Sequence, residues 1–444
     1  LKLPHLQNIS LKLNNYINSI MTLRHTLIIL CFASASLSAE WTNWRGPNYN
    51  LTTDHQAFPN AFSNTENVDW SVEIPGEGAS TPAIWKKTLY VTSMKDGMDI
   101  LIAFDLDGQK KWDAKIGIGE EGSHRQGTGA NPSPVVDASG VYVYYKSASL
   151  AKFSHSGKEI WKKNLQKDYS ITSQWWDLGT SPVLEDGKIF IAVMQQLARR
   201  SGEKAETYVL ALDKDTGKEI WKVDRVTGAN TESNDAYTTP LIATVDGQRQ
   251  LIVWGADQLS GHSLKNGKAI WTCGDFNPTN HKNWRTIASH TIVGDIAVVP
   301  YGRGHAVAAI KMSGKGDITD KSRLWEIERI GPDVPTPTIY GDTTIILTDR
   351  GVLNAVNIES GDIQWKADLP RTAAKYFASP IISGDRMICS RDDGTVFVCG
   401  LNEDGIEILS ENSMGEAVIS TPIPYGDKLY IRTASTLYCI GKSS

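Results

Sequence analysis

Short apolar runs rich in β-branched and aromatic residues recur along the whole chain, among them KIFIAVM from Lys188, TTIILTD from Thr343 and KLYIRTA from Lys428. Each is bounded by Gly, Asp or Asn, the signature of strands closed by tight turns. Long stretches with the three-to-four-residue apolar spacing of an amphipathic helix are absent. The pattern predicts an all-β chain.

One hairpin returns along that chain. It is fullest as ALDKDTGKEIW (Ala211 to Trp221), and thinner forms end at Trp112, Trp161, Trp271 and Trp365, each Trp four residues after a turn Gly. Gly217 and its equivalents supply the positive φ that a tight hairpin turn requires. Asp213 and Thr216 satisfy backbone donors at the turn, and the Trp offers a large flat surface for a neighbouring unit. Ahead of each hairpin stands a Ser/Thr-Pro opening such as STPAI from Ser80, PSPVV from Pro132, TSPVL from Thr180, TTPLI from Thr238 or ASPII from Ala378.

Successive tryptophans are roughly 40 to 60 residues apart, the period of propeller blades. The last unit, from Ser420, holds three strands, and NVDWSVEIP (Asn67 to Pro75) holds a strand with a Trp and nothing before it. Pairing the two closes the ring, so the fold expected is an eight-bladed β-propeller of four-stranded antiparallel blades, spanning 67–444 and preceded by an N-terminal segment at 40–66. Trp70, Trp112, Trp161, Trp221, Trp271, Trp325 and Trp365 are the expected blade-docking residues, while the seventh unit carries Leu409 in that place. The insert before Trp325, KMSGKGDITDKSR, reads as a solvated loop excursion.

The hairpin Ala211, Asp213, Thr216, Gly217, Trp221 resembles the tryptophan-docking motif of the quinoprotein-like propellers, which include pyrroloquinoline quinone (PQQ) dehydrogenases and BamB-like scaffolds. WTNWRGPNYN at Trp41 resembles the opening of many secreted BamB-like proteins. The two Trp-Asp dipeptides, at Trp112 and Trp176, lack the Gly-His partner of WD40 repeats.

The first 39 residues stand apart from the repeats. MTLRHTLIILCFASASLSAE from Met21 has the basic start, apolar run and small-residue end of a secretory signal peptide, with cleavage expected near Ala39 and residues 1–20 as a non-native extension. The expected location is the periplasm or the extracellular space. Cys31 follows Leu30, where a lipid-attachment motif would want a small residue. The other thiols, Cys273, Cys389, Cys399 and Cys439, read as buried small apolar residues. Net charge is −5 with no basic run, so no nucleic-acid partner is expected.

Strand alternation places the Asp-x-x-Thr-Gly turns on one face and the links between blades on the other. That second face, the top, collects Arg125, Trp176, Asp177, Asp235, Tyr237, Trp284, Arg285, Arg303, Asp333, Lys375 and Tyr376 as candidate ligand-binding residues around the channel mouth. Arginine forks suit carboxylate or phosphate groups, and Trp rings suit apolar faces of a ligand. Resemblance to the dehydrogenases implies PQQ with calcium, Asp177 or Asp333 as base, Arg125 or Arg285 beside the quinone oxygens and Trp176 beneath the ring. The adjacent cysteine pair of those enzymes and a Cys-x-x-Cys-His haem motif are both missing. Resemblance to BamB implies a non-catalytic binding scaffold of the periplasm or cell envelope, working as a monomer on an envelope protein, with no cofactor. That is the primary expectation. The alternatives are a PQQ- and calcium-dependent dehydrogenase of alcohols or sugars, and a propeller binding a glycan or small-molecule ligand. Histidines 124, 281, 290 and 305 show no ligand spacing and are expected to face solvent or pack loops.

Overall fold

The computed structural model describes residues 40–54, 57–124, 127–169, 177–195 and 207–441. The expected extension at 1–20 and signal segment at 21–39 lie outside the described residues.

Eight antiparallel four-stranded blades form the ring. Blade 1 runs through Ala83–Trp85, Thr88–Lys95, Met98–Asp105 and Lys110–Ile118. Blades 2 to 7 open at Val135, Val183, Leu241, Thr291, Thr338 and Ile381. Blade 8 takes Ile423–Tyr425, Lys428–Arg432 and Thr436–Ile440 from the end of the chain and Val68–Glu73 from its beginning. Trp70 is in register with Cys439, and the Gly441 N–H donates to Asn67 O at 2.9 Å, so the split blade has the geometry of a continuous one. In blade 1 the second and third strands are buried almost throughout, whereas the fourth alternates. The middle strands lie between two neighbouring blades and are covered on both faces; the outer strand borders solvent. Continuous apolar runs in the sequence therefore mark the middle strands.

Five of the eight clasps between blades are one tryptophan on one glycine. Indole Nε1 of Trp70, Trp112, Trp161, Trp221 and Trp325 donates to Leu106 O, His155 O, Lys214 O, Leu264 O and Ile358 O at 2.7–3.2 Å, always the same turn position in the following blade. The ring lies flat on that turn's glycine: a methyl group at Gly108, Gly157 or Gly217 would sit 2.7 Å from the indole of the preceding blade. The turn glycine thus answers two demands, a φ of +68° at Gly217 and contact with Trp161.

The other three junctions depart from this scheme. The turn glycine of blade 7, Gly405, has open space where a methyl would go, so Trp365 does not lie on it. Blade 5 has no glycine turn to receive Trp271, which is fully buried and donates to Gln250 Oε1 of its own blade at 2.9 Å. The insert is not a free excursion: Gly316–Asp317 pairs in parallel with Trp271–Thr272 as an extra edge strand of blade 4, and Thr319 Oγ1 accepts from Gly274 N. The exposed edge of blade 4 is an unpaired hydrogen-bonding row, and the insert covers part of it. Leu409, 39% exposed, precedes blade 8, whose last two strands are joined by no turn, so there is no glycine for a tryptophan to sit on. The N-terminal segment binds there instead. Asn412 Nδ2 and Ser410 Oγ donate to Asn60 O, Phe62 N donates to Asn412 Oδ1, and Arg386 stacks on Phe58 with its carbon centre 3.8 Å from the ring. Phe58 and Phe62 join the core shared by blades 7, 8 and 1.

Residues 41–53 cross the channel and cap the exposed edges of the innermost strands. Ile84, Val136, Ile339 and Ile382 donate their N–H groups to Trp41, Thr42, Asn50 and Leu51 carbonyls. Thr52–Thr53 pairs in parallel with Ile382–Ser383. All four described cysteines are buried and unpaired.

Asp99, on the third strand of blade 1, is buried completely. Its Oδ2 accepts from Ser147 Oγ at 2.5 Å, and burial pushes its carboxyl up to about 7. Between pH 4 and 7 the unfolded chain has lost this proton and the native protein keeps it, so stability falls as pH rises through that window and levels off above it. Asp99→Asn removes the charge while keeping an acceptor for Ser147. Its unfolding free energy at pH 8 is expected to exceed the parent's by roughly 3 kcal/mol, with the gap closing near pH 4. Urea titrations at the two pH values measure it; a gap independent of pH would refute the assignment.

Candidate functional site

The Ser/Thr-Pro openings meet at the axis. The N–H of Thr81 donates to Ser133 Oγ, that of Ser133 to Ser181 Oγ, that of Ser181 to Thr239 Oγ1, and onward through Ser289, Thr336 and Ser379 at 3.0–3.1 Å. Thr421 closes the circle, donating its N–H to Thr81 Oγ1 and its hydroxyl to Ser379 O. Every blade contributes one hydroxyl to this ring. Proline following seven of them removes an N–H that would have no partner and holds the preceding residue extended.

Above the ring opens a funnel of about 1060 Å³, with Trp44 of the crossing segment also lining it. Asp177, Tyr237, Arg285, Arg303, Asp333 and Lys375 line this funnel as expected positions of a top-face site. Arg125 and Trp176 lie outside the described residues. Asp235, Trp284 and Tyr376 are not in its lining. Asp235 is fully buried; its N–H donates to Glu232 O in its own loop and its carbonyl accepts from Thr286 N of the next. Trp284 is sandwiched between His281 and His305, with ring centroids 5.3 and 5.1 Å away. Tyr376 packs under Gly351 in the blade 6–7 core and donates its hydroxyl to Pro370 O.

Most of the funnel's carboxylate oxygens are held by other groups, whereas Asp333 Oδ1 is buried with no partner among the described residues. Asp177 accepts from Ser123 N, His124 N and Lys146 Nζ at 2.6, 2.9 and 3.0 Å, and both members of the Asp177–Lys146 pair have side chains about 5% exposed. It ties the loop before blade 2 to the loop before blade 3. Glu232 accepts from Arg285 at 2.9 Å. Asp333 lies 3.8 Å from Arg285 and 3.6 Å from Arg303, and its own N–H donates to Asp349 Oδ2 at 2.7 Å. Burial, with the charge of Asp333 adding to it, pushes the Asp349 carboxyl up to about 6. Tyr237 is buried with its hydroxyl unpartnered among the described residues, and burial raises its pKa well above the usual phenol range.

Glu232, Asp349 and Trp44 are funnel residues that the repeat pattern did not single out. Trp44 had a signal in the WTNWRG motif, and the hydroxyl ring had one in the Ser/Thr-Pro openings. Glu232 and Asp349 had none, because nothing in their neighbourhood departs from an ordinary loop or strand end.

A calcium-held quinone needs several free carboxylate or amide oxygens around one point. Asp177 is instead held by backbone N–H groups and Lys146, Glu232 by Arg285, and among the described residues no three His, Cys, Asp or Glu side chains cluster to hold a metal.

The family described as outer membrane protein assembly factor BamB matches residues 61–207, 202–317 and 315–442. The chain is 23% identical over 370 residues to the assembly factor BamB of Burkholderia pseudomallei strain K96243, covering 74% of this chain and 86% of that protein. It resembles the crystal structure of BamB from Moraxella catarrhalis with a TM-score of 0.58 at 15% identity, over 83% of this chain and 95% of the other. It also resembles the quinohemoprotein alcohol dehydrogenase of Comamonas testosteroni, with a TM-score of 0.64 at 13% identity, over 93% and 82% of the two chains. At these identities the structural likeness shows the propeller fold alone. No helix among the described residues is long and apolar enough to cross a membrane.

Proposed function

This chain belongs to the propeller family described as outer membrane protein assembly factor BamB, and on that footing we propose that it acts without catalysing a reaction, as an exported binding scaffold of the cell envelope. The single observation that carries this reading is the state of Asp177, the acid that the dehydrogenase reading would use as base. A general base needs a carboxylate oxygen within reach of a substrate proton, whereas Asp177 spends its oxygens on two backbone N–H groups and a buried lysine. Such bonds fix the shape of the top loops. A rigid rim carrying exposed Arg303 and Arg350 beside half-buried Lys375 suits docking of a partner protein. We take the working form to be a monomer.

The test has two arms. A photo-crosslinking residue placed at Arg350 or Lys375 on the top, and at Glu359 on the opposite face, is introduced into the full chain in its envelope. The expected result is one discrete envelope-protein adduct from the top positions and none from Glu359. Purified protein is also titrated calorimetrically with PQQ, with and without calcium, and assayed for dye-linked alcohol oxidation. No heat and no dye reduction are expected; calcium-dependent binding with dye reduction would replace the scaffold by a dehydrogenase.

A further inference from the structure

Seven of the eight axial hydroxyl residues precede proline, and the eighth, Ser289, precedes His290. His290 is fully buried, contrary to the expected solvent-facing or loop-packing role, and neither ring nitrogen has a partner among the described residues. Its neighbour is equally unusual. Arg45, in the segment that crosses the channel, is 1% exposed and stacks on Trp44 with its carbon centre 4.5 Å from the ring. Its Nη2 donates to Thr239 O at 3.3 Å, and Nε and Nη1 are orphaned. Thr239 N donates in turn to Ser289 Oγ, so the guanidinium stands one ring position from the histidine; burial first, and the charge of Arg45 after it, disfavour protonation of that imidazole.

The other fully buried arginines are better satisfied. Arg225 donates to Ser260, Gly255 and Gln258 oxygens; Arg432 also has its Nε and Nη2 orphaned, but its Nη1 donates to three acceptors on Ser80 and Thr92. Arg45 has one long bond and faces a second base. A guanidinium taken out of water without a counter-charge is strongly unfavourable. The unpaired groups here are mostly donors: Nε–H, the Nη1 hydrogens and one imidazole N–H, against a single imidazole acceptor. Water can accept some of those hydrogens but brings no charge. A small anion does both.

We propose that Arg45 and His290 hold a monovalent anion of halide size beneath the neck of the funnel, and that this anion fastens the crossing segment to blade 5. The site is separate from the funnel surface and does not depend on the scaffold reading.

Thermal unfolding of the full chain at one ionic strength, in sodium gluconate, chloride or bromide, reads the effect directly. The melting temperature is expected to rise by several degrees from gluconate to chloride, saturating with concentration. His290→Pro, which restores the repeat pattern, and Arg45→Met, which keeps the stem length, are both expected to abolish the difference. A crystal soaked in bromide is expected to show anomalous scattering between the two side chains. Equal melting temperatures in all three salts, with no bromide at that position, would mean that water alone fills it and would overturn the proposal. If Arg45→Met does not fold, the parent protein's salt series, His290→Pro and the bromide crystal still decide.

Discussion

Trp161→Ala is expected to destabilise the protein by about 3–5 kcal/mol, the usual loss for a large buried aromatic. Trp161 is 8% exposed, packs with Tyr142 and the blade 2–3 core, and donates to Lys214 O at 3.0 Å. Trp161→Phe keeps a ring and loses the N–H, so about 1 kcal/mol of that loss is the hydrogen bond. The glycine beneath provides a sharper test. Gly217→Ala meets both a left-handed backbone and the Trp161 ring at 2.7 Å, whereas Gly187, with a φ of +72°, has open space where the methyl would go. Gly187→Ala isolates the conformational cost, about 1–2 kcal/mol, and Gly217→Ala should exceed it clearly. Denaturant midpoints for the two variants decide; equal costs would show that the indole does not need a bare glycine beneath it.

Starting the chain at Gly76 is expected to remove essentially all of the roughly 5–15 kcal/mol by which a domain of this kind is stable. That truncation deletes the fourth strand of blade 8, the Trp70 clasp onto blade 1, Phe58 and Phe62 from the blade 7–8 core, and the segment that caps the inner strand edges. The loss also leaves Thr436–Ile440 as an unpaired edge and uncaps the inner strand edges, so association should accompany it. Because Gly441 already bonds Asn67 O, a circular permutant carrying residues 57–75 after Gly441 should recover a monomeric, cooperatively melting protein. Sedimentation and circular dichroism compare the two. A stable monomer from the truncated chain would show that the ring does not depend on its closing strand.

Strands, turns, blade count and closure were legible in the sequence because they rest on local or exactly repeated features. A Gly four residues before a Trp, an apolar run between turn residues and a lone strand at the start are visible within a window of a dozen residues. Leu409 was visible too, but its reason was not: the missing tryptophan makes sense only once the following blade is known to lack a hairpin turn. The insert before Trp325 likewise became an edge strand of blade 4 through a pairing with Trp271 and Thr272 some forty residues away.

The funnel divides along the same line. Which loops reach the top face follows from strand order, because strand direction alternates within each blade. Tertiary structure alone decided what those loops' side chains do. Asp177 and Lys146 come from different blades, as do Arg285 and Asp333, and their pairing depends on where the ring brings each blade around the axis. The Ser/Thr-Pro openings looked like strand starts until closure set the eight hydroxyls in one circle. Local pattern fixes a strand because its turns and its alternation of faces lie within the strand's own neighbourhood. A charge finds its partner through distance in space, and in a ring that distance exists only after the first strand has met the last.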